Sequence, residues 1–116
     1  MNNWEEILKG IIERGEWEAK GTPLKYEKYK DYCKEGPTPG QWLFKFENGY
    51  GASVIKHFGS YGYEEDKFEL AVIRWTEGKH YELEYNTPIT NDVIGHLDNK
   101  EVMDLLEQIK ELKERE

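Results

Sequence analysis

Trp42, Phe44 and Phe46 alternate with Leu43, Lys45 and Glu47, and Asn48-Gly49 follows at once. Alternation with a period of two is the pattern of a strand buried on one face, and Asn-Gly is the preferred pair for a tight hairpin because both central residues of a type I′ turn need positive φ. The next strand runs from about Gly51 to Phe58. A two-residue turn sets Phe44 opposite Ser53 and Trp42 opposite Ile55, and a bulge changes those partners.

A second hairpin is expected around Glu77-Gly78, between Phe68–Trp75 and His80–Tyr85. With a two-residue turn, Leu70, Val72, Tyr81, Leu83 and Tyr85 share one face, and His80, Glu82, Glu84, Ile73 and Trp75 take the other. At the carboxyl end, Asp98 and Glu101 form a capping box, with Leu97 placed to pack on Val102. Val102, Leu105, Leu106, Ile109 and Leu112 then make the apolar stripe of a long amphipathic helix. Thr90 is placed to cap a short helical turn over 90–95.

The amino-terminal third is less regular. Asn3 and Glu6 suit a helix start, and Trp4, Ile7, Leu8, Ile11 and Ile12 have helical spacing up to Gly15. That helix has two possible sites: the face shared with the carboxyl-terminal helix, or the Ile73 and Trp75 patch. Residues 24–34, if helical, put Tyr26, Tyr29, Tyr32 and Cys33 on one side, and the run Gly36-Pro37-Thr38-Pro39-Gly40 ends any helix. The expected architecture is one α+β domain over 1–116: an antiparallel four-stranded meander carrying an amino-terminal helix and a long carboxyl-terminal one. Its parts are a helical or irregular segment 1–40, a sheet over 41–86 and a helical segment over 90–116.

The 116 residues hold 24 acids and 16 basic side chains, a net charge of −8, with 4 Trp, 8 Tyr and 4 Phe. So many rings argue for a folded core. The acidity is concentrated after Glu64, which disfavours direct binding to DNA or to anionic membranes, since both need clustered Lys and Arg. Only 20–34 is locally basic; its lysines and tyrosines suit single-stranded nucleic acid as a minor alternative to a surface helix or ordered loop. No apolar run reaches membrane-spanning length, and Glu5 and Glu6 stand where a signal peptide is basic, so a cytoplasmic location is expected. Cys33 is the single cysteine, which excludes an intrachain disulfide and a cysteine zinc site.

His57, His80 and His96 lie on separate elements without metal-ligand spacing, so no metal, cofactor or catalytic residue is expected, with His80, Glu82 and Glu84 the best acid–base set. The glycine-rich stretches 49–51 and 59–63 do not lead from a strand into a helix, as phosphate-cradling loops do. Tyr50, Phe58, Tyr61 and Tyr63 gather rings beside Glu64, Glu65 and Asp66, a composition suited to contacting a protein. These seven residues, with the Glu82 and Glu84 strand face, form the candidate partner-binding set. A row of Glu101, Asp104, Glu107, Glu111 and Glu114 on the last helix is a solvated face, or a mimic of nucleic-acid phosphates.

The segments Asn48–Ile55 (NGYGASVI), Phe68–Val72 (FELAV) and Tyr85–Gly95 (YNTPITNDVIG) together resemble a group of small, poorly characterised phage and prophage proteins. The resemblance covers about 41–112 and implies a mobile-element origin, where small acidic proteins often inhibit host defence; it carries no functional residue with it. The resulting expectation is a non-enzymatic protein that binds a host or mobile-element protein, a defence nuclease such as a CRISPR effector above all. The alternatives are an immunity or antitoxin-like protein covering a toxin, and a small-molecule binder or enzyme using the Gly-Tyr loops with His57 or His80. The first and last strand edges leave the oligomeric state open.

Overall fold

The computed structural model describes residues 22–36 and 39–113. The expected amino-terminal helix and Glu114 lie outside the described residues. The architecture is α+β: among the described residues, one antiparallel sheet of six strands carries one α-helix. The strands are β1 (Cys33–Glu35), β2 (Gln41–Lys45), β3 (Tyr50–Ile55), β4 (Phe68–Trp75), β5 (Tyr81–Leu83) and β6 (Ile94–Leu97), and α1 is Asn99–Lys110. The order is β1-β2-β3-β4-β5, with β6 also on β4.

The sheet therefore departs from a four-stranded meander in two places. β1 comes from the irregular amino-terminal third and pairs Cys33 with Phe44. β6 occupies part of the stretch expected to be helical: Thr90 closes a local turn with Asp92 through its hydroxyl, and the chain then extends. β5 and β6 share one edge of β4, end to end: β5 pairs with Ile73–Trp75, and β6 with Phe68 and Leu70. Residues 85–93 form the excursion between them, and Ile89 packs back on the core.

Both hairpins carry a three-residue loop, which shifts each expected register by one. In the first, Phe46 N–H donates to Tyr50 C=O, Gly49 is left-handed at φ +88°, and Asn48 does not have positive φ. This is a G1-type loop in place of I′, so Phe44 faces Ala52 and Trp42 faces Val54. In the second, Thr76 N–H donates to His80 C=O around Glu77, Gly78 and Lys79. Trp75 then faces Tyr81, and Ile73 faces Leu83. Because strand side chains alternate, one extra residue reverses every side chain of β5.

The core lies between α1 and the sheet face of Trp42, Phe44, Ala52, Val54, Phe68, Leu70 and Val72. Val102, Leu106 and Ile109 of α1 are fully buried there, and Leu105 and Leu112 partly so. The capping box of Asp98 and Glu101 is present in both directions.

Residues Glu27–Tyr32 form 3₁₀ turns on either side of a kink at Tyr29, whose φ of −118° is not helical. The rings of Tyr26, Tyr29 and Tyr32 all meet Phe44 or Phe46, edge-on or tilted. Tyr29 thus belongs to the core, and Tyr26 and Tyr32 are half-buried against it. Tyr29 is fully buried and donates its hydroxyl to Glu107. Burial, then that bond, raises the Tyr29 pKa, and the same bond holds Glu107 below the usual carboxylate range.

Candidate functional site

Residues 56–67 join β3 to β4 and carry most of the expected contact residues. Ser60 closes the first turn: its hydroxyl donates to His57 C=O at 2.8 Å and accepts from His57 N–H at 3.1 Å. A 3₁₀ turn over Tyr63–Glu65 follows, and Lys67 N–H returns to Gly62 C=O at 2.9 Å. The loop docks on β6 through backbone. Gly62 has φ +97°, and a Cβ there would lie 2.9 Å from His96 Cα; one on Gly95 would lie 2.5 Å from Tyr61 Cβ. Two glycines thus permit a close approach that no side chain allows. His96 N–H donates to Tyr61 C=O, and Tyr61 N–H to the Glu69 carboxylate at 3.1 Å.

On this pinned backbone, Phe58 is 50% exposed and Tyr61 62% exposed. Tyr63 is half-buried and Glu64 exposed. Tyr50 belongs elsewhere: it begins β3, faces Arg74 and packs on the core.

The acids split by role. Asp66 accepts from the Lys56 ammonium, from Thr22 N–H at 2.8 Å and from the Thr22 hydroxyl at 3.2 Å. Lys56 is a buried lysine, lying 4.1 Å from the centroid of the Phe68 ring. Its hydrogen bond, then that of the Thr22 backbone, lowers the Asp66 pKa. Asp66 is therefore a fold-holding group, and its left-handed backbone, φ 61°, suits the tight turn into β4. Glu65 pairs with His96 Nδ1 at 2.7 Å, a contact hidden from the sequence because its partners lie on different elements.

Glu82 and Glu84 do not form a solvated row. The register places them on the α1 side of the sheet beside Arg74, with Glu82 at 2.7 Å and Glu84 at 3.5 Å from its guanidinium, and Glu84 is buried. His80 lies in the exposed turn. On α1, Glu101 serves the cap, Asp104 pairs with Lys100, and Glu107 binds Tyr29 and Lys28. Three of the five acids of the expected helical row are thus already engaged. Among the described residues, no group of three or more His, Cys, Asp and Glu could hold a metal ion, and no helix is long and apolar enough to cross a membrane.

The reversed register also exposes a surface that alternation alone assigned to the core. Tyr81, Leu83 and Tyr85 are 36%, 54% and 37% exposed. Tyr81 meets Trp75 edge-on, with centroids 5.1 Å apart. The indole N–H of Trp75 donates to Phe44 C=O at 2.9 Å, lying across Gly51.

Comparison with known proteins finds no matching family model, curated protein or solved structure.

Proposed function

We propose that this chain is a non-enzymatic protein of a phage or mobile element that binds a host macromolecule and inhibits it, a defence nuclease being the favoured target. The observation that carries the reading is the loop at 57–67: Phe58 and Tyr61 stay exposed on a backbone held by hydrogen bonds and two close glycine contacts. Exposed rings on a preorganised loop bind at low ordering cost, and aromatic residues dominate interface energetics. The resemblance to small phage proteins and the net charge of −8 point the same way, toward a cytoplasmic partner with a basic groove.

Glu64 is the acid best placed to act in such a contact, being exposed beside the rings. Glu65 and Asp66 contribute through the loop's shape. Acidic mimicry is thereby narrowed to Glu64 and the outer side of α1.

The test is affinity purification from host lysate at low and physiological salt, followed by mass spectrometry. A stoichiometric partner is expected, and its recovery should fall at least tenfold with Phe58→Ser and Tyr61→Ser combined. Recovery of no stoichiometric partner at either salt would overturn the reading.

A further inference from the structure

We propose that the outer edge of β5 docks an extended segment of a partner protein in which lysine or arginine alternates with apolar residues, added to the sheet as one more strand. This rests on the reading of the chain as a partner-binding protein and names the surface and the chemistry.

The backbone supplies the first observation. Glu84 N–H donates to Val72 C=O at 2.8 Å, and Thr76 N–H to His80 C=O at 2.9 Å. Bonding groups alternate along an antiparallel strand, so the even-numbered residues of β5 face β4, and Tyr81 and Leu83 direct N–H and C=O away from it. β5 ends the strand order, and no described residue pairs with that side. Natural edges are commonly blunted by shortness, charge, Pro or a bulge; β5 is short and carries one charge, Glu82, but Tyr81-Glu82-Leu83 holds no Pro, no Lys and no bulge.

Side chains supply the second. Tyr81 and Leu83 stand exposed on the face away from α1, with Tyr85 next along the chain and Trp75 beside Tyr81. An added strand would cover them with its own apolar residues, as in recognition by strand addition.

Charge selects the occupant. Glu82 has a side chain 64% exposed, and Arg74 is already shared between Glu82 and Glu84. A second copy pairing about Glu82 brings the two Glu82 side chains together, pairing about Leu83 sets Glu82 against Glu84, and pairing about Tyr81 runs into the turn at 77–79. Directly opposed like charges destabilise a strand pair, and each copy carries −8. A basic residue opposite Glu82 reverses that sign.

The probe is a capped nine-residue peptide alternating lysine and valine, titrated into the full chain by calorimetry and followed by backbone amide NMR. Its controls are a glutamate–valine alternation and a block-ordered peptide of the same lysine and valine content. The alternating basic peptide should bind at least tenfold tighter than either control and shift the Tyr81 and Leu83 amides. Leu83→Pro removes an outward N–H without breaking the β4–β5 ladder and should weaken binding at least tenfold. Should that variant fail to fold, Glu82→Lys should reverse the preference toward the glutamate–valine peptide.

Equal binding of the alternating and block peptides, or undiminished binding by folded Leu83→Pro, overturns the proposal. So does exchange protection of the Tyr81 and Leu83 amides in the free chain, whether independent of concentration, from the chain itself, or rising with it, from a second copy. A partner captured equally well by Leu83→Pro overturns this inference and leaves the proposed function standing. Peptide binding with no partner in any lysate does the reverse.

Discussion

The side-chain amide of Asn48, in the β2–β3 loop, donates to the carbonyl of Ile109 at 2.9 Å, and also to those of Lys110 and Leu112 at 3.1 and 2.9 Å. The last carbonyls of a helix lack the usual intrahelical partner, and here a hairpin loop far away in sequence bonds those of Ile109 and Lys110, the former shared with Leu112 N–H, and that of Leu112 just beyond the helix. Its side-chain oxygen meanwhile accepts from Tyr50 N–H at 3.0 Å. Asn48→Ala should cost about 1–2 kcal/mol in urea unfolding. Asn48→Asp keeps the acceptor but loses the donor and adds negative charge at the helix carboxyl end, so it should cost at least as much.

Asp66 and Lys56 form the pair on which the β3–β4 connection turns. Asp66→Asn retains tolerance for left-handed backbone but removes the charge facing a buried ammonium. The loss should be about 2 kcal/mol, below the range for a fully buried pair because Asp66 itself is half-exposed. Lys56→Met removes the buried charge while keeping contact with Phe68, and should cost less than Asp66→Asn. Equal losses would assign the effect to packing.

The same pair sets a pH dependence. Asp66 has a folded-state pKa below its ordinary value of 3.8. Its contribution is therefore complete above that value and is lost as pH falls through the lower folded one. Wild-type stability should decline below about pH 4 more steeply than that of Asp66→Asn, measured by denaturant midpoints from pH 6 to 2.

Cys33 should be a poor nucleophile. Burial, then the nearby Glu35 carboxylate, pushes its thiol up to about 12 from an ordinary 9.0. Alkylation at pH 8 should be at least about tenfold slower in the native chain than in denaturant, because the thiolate is the reactive form. The folded state holds this proton more tightly, so the associated stability is present below pH 9.0 and falls as pH rises toward about 12.

Gly62 tests whether the aromatic loop needs its docking. Gly62→Ala places a Cβ against the His96 backbone at a φ that L-residues rarely adopt, and should cost about 2 kcal/mol. Loss of protection at the Lys67 amide, which bonds Gly62 C=O, would mark loosening of the loop. A variant as stable and as protected as wild type would remove the argument that this loop is preorganised.

Local chemistry made several elements legible in the residues alone. Asp98 and Glu101 cap α1 as their spacing dictates, since a capping box needs only four consecutive residues. Trp42, Phe44 and Phe46 announce a one-sided strand, and Val102, Leu106 and Ile109 the stripe that covers it. What the residues could not settle was parity. Asn48-Gly49 and Glu77-Gly78 mark where the chain turns, yet two-residue and three-residue loops differ by one position, and that position decides which side of a strand faces the helix. In the first loop, the tertiary contact of Asn48 with the end of α1 accompanies the three-residue form. In the second, the same single-residue difference buries Glu84 against Arg74 and turns Tyr81 and Leu83 outward. β1 and β6 were equally non-local, being strands only because β2 and β4 offer them an edge. Sequence thus determined the elements whose bonds close within a few residues; the register, the paired acids and the exposed β5 edge depend on contacts across the sheet, and the folded chain decided those.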